Sequence, residues 1–192
     1  MGRKVRRVPV SLDAKGVQPL SHEELKTILR GADDLILQGG RSLLARVLKG
    51  SKQKAVLEKG LDRSPVYGAM RELSLDEITR RIDWTIKEGY LAIEYDYRLP
   101  LLRYTRIGWA IEREIYATEL LERIDRELEI DPAQPDLEWF GDQHPEVLEL
   151  VAETIAQSGD AKYEPVLEAW QGRASRRMRR HVRAAIRALQ AT

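Results

Sequence analysis

The chain has 192 residues, of which 43% are hydrophobic and 33% are charged, so it can bury a core beneath a solvated surface, and wholesale disorder is excluded. It has no cysteine, which excludes disulfides and thiolate metal sites. No apolar run approaches the roughly 20 residues of a membrane span, so no spanning helix is expected. Both features lead us to expect a cytoplasmic protein. The formal net charge of +1 hides an uneven distribution, because residues 1–108 hold 21 Lys/Arg and 14 Asp/Glu, residues 109–170 hold 4 and 17, and residues 171–192 hold 7 and none.

The two basic ends indicate a polyanionic partner, although ordinary helical proteins also show such asymmetry. Residues 1–20 have no periodicity and are predicted to form a basic arm that includes Arg3, Lys4, Arg6 and Arg7. This arm is either a frayed terminus or a segment that becomes ordered on phosphate.

Three helices are predicted after the arm. The first begins at the capping box of Ser21 and Glu24, and the second spans residues 41–49 with Gly50 at its C-terminal end. The third begins at a second capping box, in which Ser74 is followed by Glu77, and it ends at Gly89. Its apolar positions share one face, and the opposite face carries Arg80, Trp84 and Lys87.

The period of the pattern then changes to about two, which predicts a β-hairpin with strands at 90–95 and 101–105 and a turn at 96–100. Three short helices followed by a hairpin is the element order of a winged helix. The fold class is therefore mainly α with a small β-hairpin, in which the winged helix precedes a helical C-terminal module.

The remaining sequence is predicted to be helical. A long helix follows Gly108, a linker covers 131–143, and further helices cover 145–159, 161–170 (broken by Pro165) and 173–190. We expect four parts along the chain: a basic arm at 1–20, a winged helix at 21–108, a long helix with its linker at 109–143, and a helical module at 144–192.

Residues 39–108 resemble the C-terminal winged-helix family of RecQ helicases, known as RQC. The similarity rests on Gly39–Ser51 (the family's "VLRGS" helix), Gly60–Asp62 ("GHD"), Val66–Gly68 ("TYG"), Gly89–Leu91 ("GYL") and Leu102–Gly108 ("LT..G"). The whole chain looks most similar to stand-alone "RQC-minor" bacterial DNA-binding proteins, and residues 145–189 weakly resemble HEAT-type repeats.

Two departures limit what this resemblance implies. No G-x-x-x-x-G-K-[ST] phosphate loop is present, so no ATP motor is expected in this chain. Leu61 stands where the family has His, and any role of that His is not carried over.

The resemblance implies a wing that lies at a duplex end. Its tip supplies Tyr95, Tyr97 and Arg98, with Tyr97 expected to stack on a terminal base pair or merely to cover the hairpin. Arg41, Ser42, Lys49, Lys52 and Lys54 surround two glycine turns and are expected either to bind phosphate or to be solvated. Arg80, Trp84 and Lys87 are candidates for insertion into a groove, with Asp76 and Asp83 opposing it.

The last predicted helix carries seven arginines. Arg179, Arg183 and Arg187 form a stripe that either pairs with the acidic middle of the chain or contacts DNA as a secondary site, as the basic arm also could.

The sequence favours a non-enzymatic DNA-binding protein of DNA repair or replication that recognises duplex ends or single-strand/double-strand junctions. A helicase or nuclease in trans is the expected protein partner, and no cofactor, metal, membrane or small-molecule substrate is expected. His22, His144 and His181 have no metal-ligand spacing. The alternatives are a sequence-specific winged-helix transcriptional regulator and a protein-interaction adapter without DNA binding.

Overall fold

A computed structural model describes residues 7–190 of the chain, which divides into two compact units between Glu112 and Arg113. The fold is mainly helical with one antiparallel hairpin, as predicted. The helices are α1 (His22–Asp33), α2 (Arg41–Lys49), α3 (Lys54–Leu57), α4 (Leu75–Lys87), α5 (Arg106–Ile130), α6 (Pro145–Ser158), α7 (Glu164–Arg173) and α8 (Met178–Leu189). The strands are β1 (Leu91–Asp96) and β2 (Leu99–Tyr104).

Both predicted capping boxes start helices in the first unit. In each box the serine side chain accepts the backbone N–H of the glutamate three residues on, and that glutamate accepts the serine N–H, at Ser21–Glu24 and at Ser74–Glu77. The apolar stripes that follow bury Ile28 and Ile82, which share one core with Leu44 of α2. Side-chain burial on this scale provides most of the free energy that holds three short helices together.

The hairpin completes a winged helix. Leu91 pairs with Tyr104 at its base, and Asp96 pairs with Leu99 at its tip. The loop between α1 and α2 pairs with strand β2. The N–H of Leu37 donates to the carbonyl of Leu102 at 2.9 Å, and the N–H of Leu102 donates to the carbonyl of Gly39 at 2.9 Å. The predicted winged helix is confirmed.

The hairpin turn is tighter than the predicted turn at 96–100, since only Tyr97 and Arg98 lie between the strands. Pro100 lies inside β2 opposite Tyr95. A proline lacks an N–H but is tolerated in a strand where no ladder donor is needed. The presence of a proline was therefore a poor indicator of the end of the turn.

The carboxylate of Asp83 joins three segments of the first unit. Asp83 is only 2% exposed, and it forms an ion pair with the guanidinium of Arg41 at the start of α2. It also accepts the backbone N–H of Asp13 at 2.8 Å. A buried carboxylate requires such partners, so this group fixes the arm and α2 against α4. The expectation that Asp83 opposes phosphate on the outer face of α4 was wrong, because the side chain is buried and paired.

The long helix begins at Arg106, three residues earlier than predicted, so Gly108 lies within it. A Cβ at Gly108 would lie 2.0 Å from the carbonyl oxygen of Tyr90, so only glycine permits this approach. The hydroxyl of Thr105 accepts the N–H of Gly108 and donates to the carbonyls of Gly89 and Tyr90, which holds α5 at the base of the wing.

The second unit contains α6, α7 and α8 and a 3-10 turn at Glu138–Asp142. Phe140 and Trp170 pack edge to face with their ring centroids 4.4 Å apart. Pro165 lies in the first turn of α7 and does not break a helix, because the first turn has no use for the missing N–H. The last helix starts at Met178, five residues after the predicted start.

Among the helices of the described part, none is both long and apolar enough to cross a membrane. Residues 7–190 contain no group of three or more His, Asp or Glu side chains arranged to hold a metal ion.

Replacing Arg41 with Ala is expected to lower the free energy of unfolding by about 3 kcal/mol, because it leaves the Asp83 carboxylate buried without a cation. Chemical denaturation would measure the change. The double variant Arg41→Met/Asp83→Leu should be less destabilised than Arg41→Ala, whereas Arg80→Ala, which removes an exposed arginine, should change stability by less than about 0.5 kcal/mol. A double variant that is destabilised as much as Arg41→Ala, or more, would contradict this role of the Arg41–Asp83 pair.

Gly108→Ala is expected to destabilise the first unit by about 1–3 kcal/mol, because the new methyl group overlaps the backbone carbonyl of Tyr90. Gly172→Ala in α7 is the matched control, since a Cβ there meets nothing within 4 Å and should stabilise its helix by up to about 1 kcal/mol. Thermal unfolding of both variants provides the comparison, and an unchanged midpoint for Gly108→Ala would contradict the close approach.

Candidate nucleic-acid interface

The tip of the wing presents an aromatic ring to solvent. Tyr97 is 71% exposed and adopts a φ of 51°, a left-handed conformation that side chains other than Gly, Asn and Asp rarely take. Leu99 beside it is 59% exposed. Arg98 is exposed as well, and no carboxylate of the described chain lies within 4 Å of its guanidinium. The tip therefore combines an uncovered ring, an apolar side chain and an unpaired cation.

The arm is packed along this wing. The N–H of Val8 donates to the carbonyl of Arg98 at 3.1 Å, and the hydroxyl of Tyr95 donates to the carbonyl of Val8 at 3.0 Å. The guanidinium of Arg7 lies 4.8 Å from the centroid of the Tyr95 ring, a cation–π distance. Tyr95, predicted as a contact residue, thus holds the arm and places Arg7 beside the wing. Arg3, Lys4 and Arg6 lie outside the described residues.

A groove of about 370 Å³ lies between the side of the wing and the start of α2. The arm contributes Val8–Val10 to its lining, the wing contributes Ile93 and Pro100, and α2 contributes Arg41, Ser42 and Arg46. The structure therefore brings the predicted residues Arg41 and Ser42 to the wing.

Arg46 was missed by the sequence analysis. It lines the groove, is half-buried, and has no carboxylate within 4 Å in the described part of the chain. The sequence does contain a pattern that indicates Arg46. Ser42, Arg46 and Lys49 recur at helical spacing on the face of α2 opposite the buried Leu44 and Leu48. A polar stripe along α2 would have identified it.

Two of the predicted phosphate ligands have partners inside the protein. Arg41 is paired with Asp83. The ammonium of Lys49 donates to the backbone carbonyls of Arg71 and Leu73, the latter at 2.8 Å. Both side chains hold the fold together, so their charges are less available to a ligand than the sequence indicated.

Ser42, Lys52 and Lys54 are exposed around the two ends of α2. The N-terminal end of the helix is capped by Gly40 without a side-chain hydrogen bond, and the C-terminal end by Gly50 in the left-handed region. Lys54 forms an i,i+4 pair with Glu58 at 3.4 Å, whereas Lys52 has no carboxylate within 4 Å among residues 7–190. The two ends of the nine-residue α2 are about 12 Å apart along its axis, so these cations form two clusters.

The outer face of α4 is partly covered. Trp84 is half-buried and stacks against Tyr90 with ring centroids 6.2 Å apart, while Lys87 is exposed. Arg80 lines a depression together with arm residues 15–20 and Glu77. The backbone N–H of Ser74 lowers the pKa of Glu77, so this carboxylate stays ionised near Arg80. A covered tryptophan and a neighbouring carboxylate both disfavour insertion of this face into a DNA groove.

The secondary candidates Arg179, Arg183 and Arg187 lie on α8 in the second unit, and all three are exposed. The Nε of Arg179 donates to the carbonyl of Ala174 at 2.9 Å, and the Nε of Arg187 donates to the carbonyl of Arg183 at 3.2 Å. None of them pairs with an acid of residues 7–190.

Comparison with known proteins agrees with the fold. The family model of the RQC domain matches residues 21–126, which is more than half of the chain and runs from the start of α1 into α5. A segment of 63 residues is 35% identical to the ATP-dependent DNA helicase RecQ of Bacillus subtilis (strain 168), and it covers 33% of this chain and 10% of that helicase. No solved structure matches the chain. On the extent of the family match and the winged helix within it, the chain belongs to the RQC-domain family.

Proposed function

We propose that this protein binds DNA without catalysing a reaction and that its wing engages a duplex end or a junction between single-stranded and double-stranded DNA. Membership of the RQC-domain family, and the similarity of one segment to a DNA helicase, support the DNA-binding role. The preference for an end or junction is our inference from the tip of the wing.

The observation that carries the proposal is the exposed ring of Tyr97 in a left-handed turn. A two-residue hairpin turn with positive φ at its first position usually has glycine there. Tyr97 accepts backbone strain of about 1 kcal/mol while its ring stays 71% exposed, so packing does not account for it. A ring in that position is suited to stack on the last base pair of a duplex, an interaction that depends little on sequence.

Cations near the tip provide the phosphate contacts that such stacking requires. Arg98 adjoins the ring, and Arg7 is held against Tyr95 on the same wing. Arg46 and Ser42 line the groove beside the wing. Arginine and hydroxyl groups are common phosphate ligands, and these contacts would position the duplex without reading its bases.

Strand separation would then depend on another protein, because the sequence contains no phosphate-binding loop for ATP. We propose that a helicase or nuclease in trans acts on the DNA that this chain holds. No cofactor is needed for binding of this kind.

The variant Tyr97→Ala/Arg98→Ala is expected to weaken binding to a forked DNA by roughly 5- to 150-fold, corresponding to the 1–3 kcal/mol of one base–aromatic stack. Binding within a closed circular duplex should change much less, because it offers no terminal base pair. Fluorescence competition with both DNAs at fixed salt would measure the difference. Arg126→Ala/Ile130→Ala removes an exposed arginine and an exposed apolar residue of the second unit and is the matched control.

The same titrations separate the alternative functions. Equal weakening on fork and closed duplex would contradict the stacking role. Enrichment of one sequence from a random pool would instead indicate a transcriptional regulator. Absence of binding to every DNA at micromolar protein would indicate a protein-interaction adapter.

Tyr97→Gly is expected to raise the free energy of unfolding by about 0.5–1 kcal/mol, because glycine adopts positive φ without strain, and at the same time to weaken fork binding. Leu37→Gly is the matched control, since Leu37 also has positive φ, at 57°, and is 53% exposed. Urea unfolding of both variants measures the change in stability, and titration with forked DNA measures the change in affinity. If Tyr97→Gly destabilises the fold, the ring has a structural role, and if it binds the fork as tightly as the wild type, the ring does not stack on the terminal base pair.

A further inference from the structure

The helix α8 has one apolar face and one face of arginines. Met178, Val182, Ala185 and Leu189 are buried, at 6% exposure or less, and they pack within the second unit. The remaining surface of the helix, the turn before it and the last residue of α7 carry exposed arginines, at 173, 176, 177, 179, 180, 183 and 187. The surface formed by these seven side chains is called here the arginine face.

The acids of the same unit leave most of the arginine face unpaired. Arg177 pairs with Glu149 at 2.8 Å, and His181 lies 3.8 Å from the same carboxylate. Within residues 7–190, the other six arginines have no carboxylate within 4 Å. Residues 113–170 hold 16 acids, so unpaired arginines do not result from a shortage of carboxylates. None of the three stripe arginines, Arg179, Arg183 and Arg187, pairs with an acid of residues 7–190; of the seven, only Arg177 does.

The arginines also oppose the dipole of their own helix. Four of them, Arg176, Arg177, Arg179 and Arg180, cluster at the N-terminal end of α8, and its first turn has no acid. The N-terminal end of a helix carries a partial positive charge, so cations there are unfavourable and an anion is favourable. A bound polyanion would remove both the mutual repulsion of the arginines and this unfavourable interaction.

Two of the side chains are held in place with donors to spare. Arg179 and Arg187 each use only Nε in a hydrogen bond to a backbone carbonyl. The four N–H groups on the two Nη atoms of each side chain remain for a ligand, and their planar fork matches the oxygens of a phosphate. The seven side chains include no Phe, Trp or Tyr, so this surface offers no aromatic ring on which an unpaired base could stack.

We propose that the arginine face binds the phosphate backbone of duplex DNA and provides this chain with a second DNA contact that is separate from the wing. The proposal rests on the proposed function, in that it takes DNA as the polyanion. Without aromatic groups the contact would be independent of sequence and strongly dependent on salt. Two linked contacts raise the overall affinity through effective concentration, even when each contact is weak.

The test uses the full chain and a blunt DNA duplex of about three helical turns. Fluorescence anisotropy would measure the dissociation constant at salt concentrations from roughly 50 to 200 mM, the range in which phosphate contacts weaken steeply. Arg179→Gln/Arg183→Gln/Arg187→Gln should reduce the slope of log affinity against log salt by about 2.7, or about 0.9 for each phosphate that the variant no longer neutralises. Arg183→Gln alone should reduce it by about 0.9. Arg126→Gln, which removes one exposed arginine elsewhere in the unit, should leave the slope unchanged. The triple replacement by Lys keeps the charge and should keep the slope, and circular dichroism would check that each variant folds.

The outcomes distinguish the two proposals. Wild-type binding with an unchanged slope in the triple Gln variant would overturn the second contact and leave the wing proposal standing. Absence of DNA binding by the wild type would overturn both. If poly-glutamate binds the wild type but not the triple Gln variant, and the DNA slope is unchanged, the arginine face is a docking surface for an acidic protein.

Discussion

The arrangement of the first unit depends on one buried carboxylate. Asp83 lies on α4 with almost no solvent contact, and a charge in that position is tolerated only with a cation and a donor beside it. Arg41 and the backbone of Asp13 meet that requirement, which places the start of α2 and the arm against the same helix. Because the guanidinium of Arg41 neutralises Asp83, it is less available to a phosphate group than the cations that have no such partner.

The sequence predicted well those features that are encoded by neighbouring residues. Capping boxes at Ser21 and Ser74 set the starts of α1 and α4. The change in the period of the hydrophobic pattern after Gly89 predicted the hairpin. Each of these signals acts within about four residues, where backbone geometry and side-chain chemistry determine each other. The order of helices and strands then sufficed for a winged helix, and the ordered motifs sufficed for the RQC resemblance that the family match confirms.

Features that depend on distant residues were not predictable in this way. The donor and acceptor of the Asp13–Asp83 hydrogen bond are 70 residues apart, and Lys49 reaches carbonyls 22 and 24 residues away. A pattern of charges does not reveal which cations an internal acceptor will use, and this is why Arg41 and Lys49 were assigned to phosphate. Burial of Asp83 and partial covering of Trp84 by Tyr90 are likewise results of tertiary packing.

The hydrogen bond between Val8 and Arg98 has a practical consequence for anyone who handles this protein. Whatever polypeptide is joined ahead of Arg7 starts from the side of the wing, within a few residues of the exposed tyrosine. An affinity tag or fluorescent protein fused ahead of residue 1 is joined to this point through only six residues, which span at most about 20 Å, and a histidine tag would add positive charge at mildly acidic pH. Such a fusion should be cleaved off before the affinity for any nucleic acid is measured.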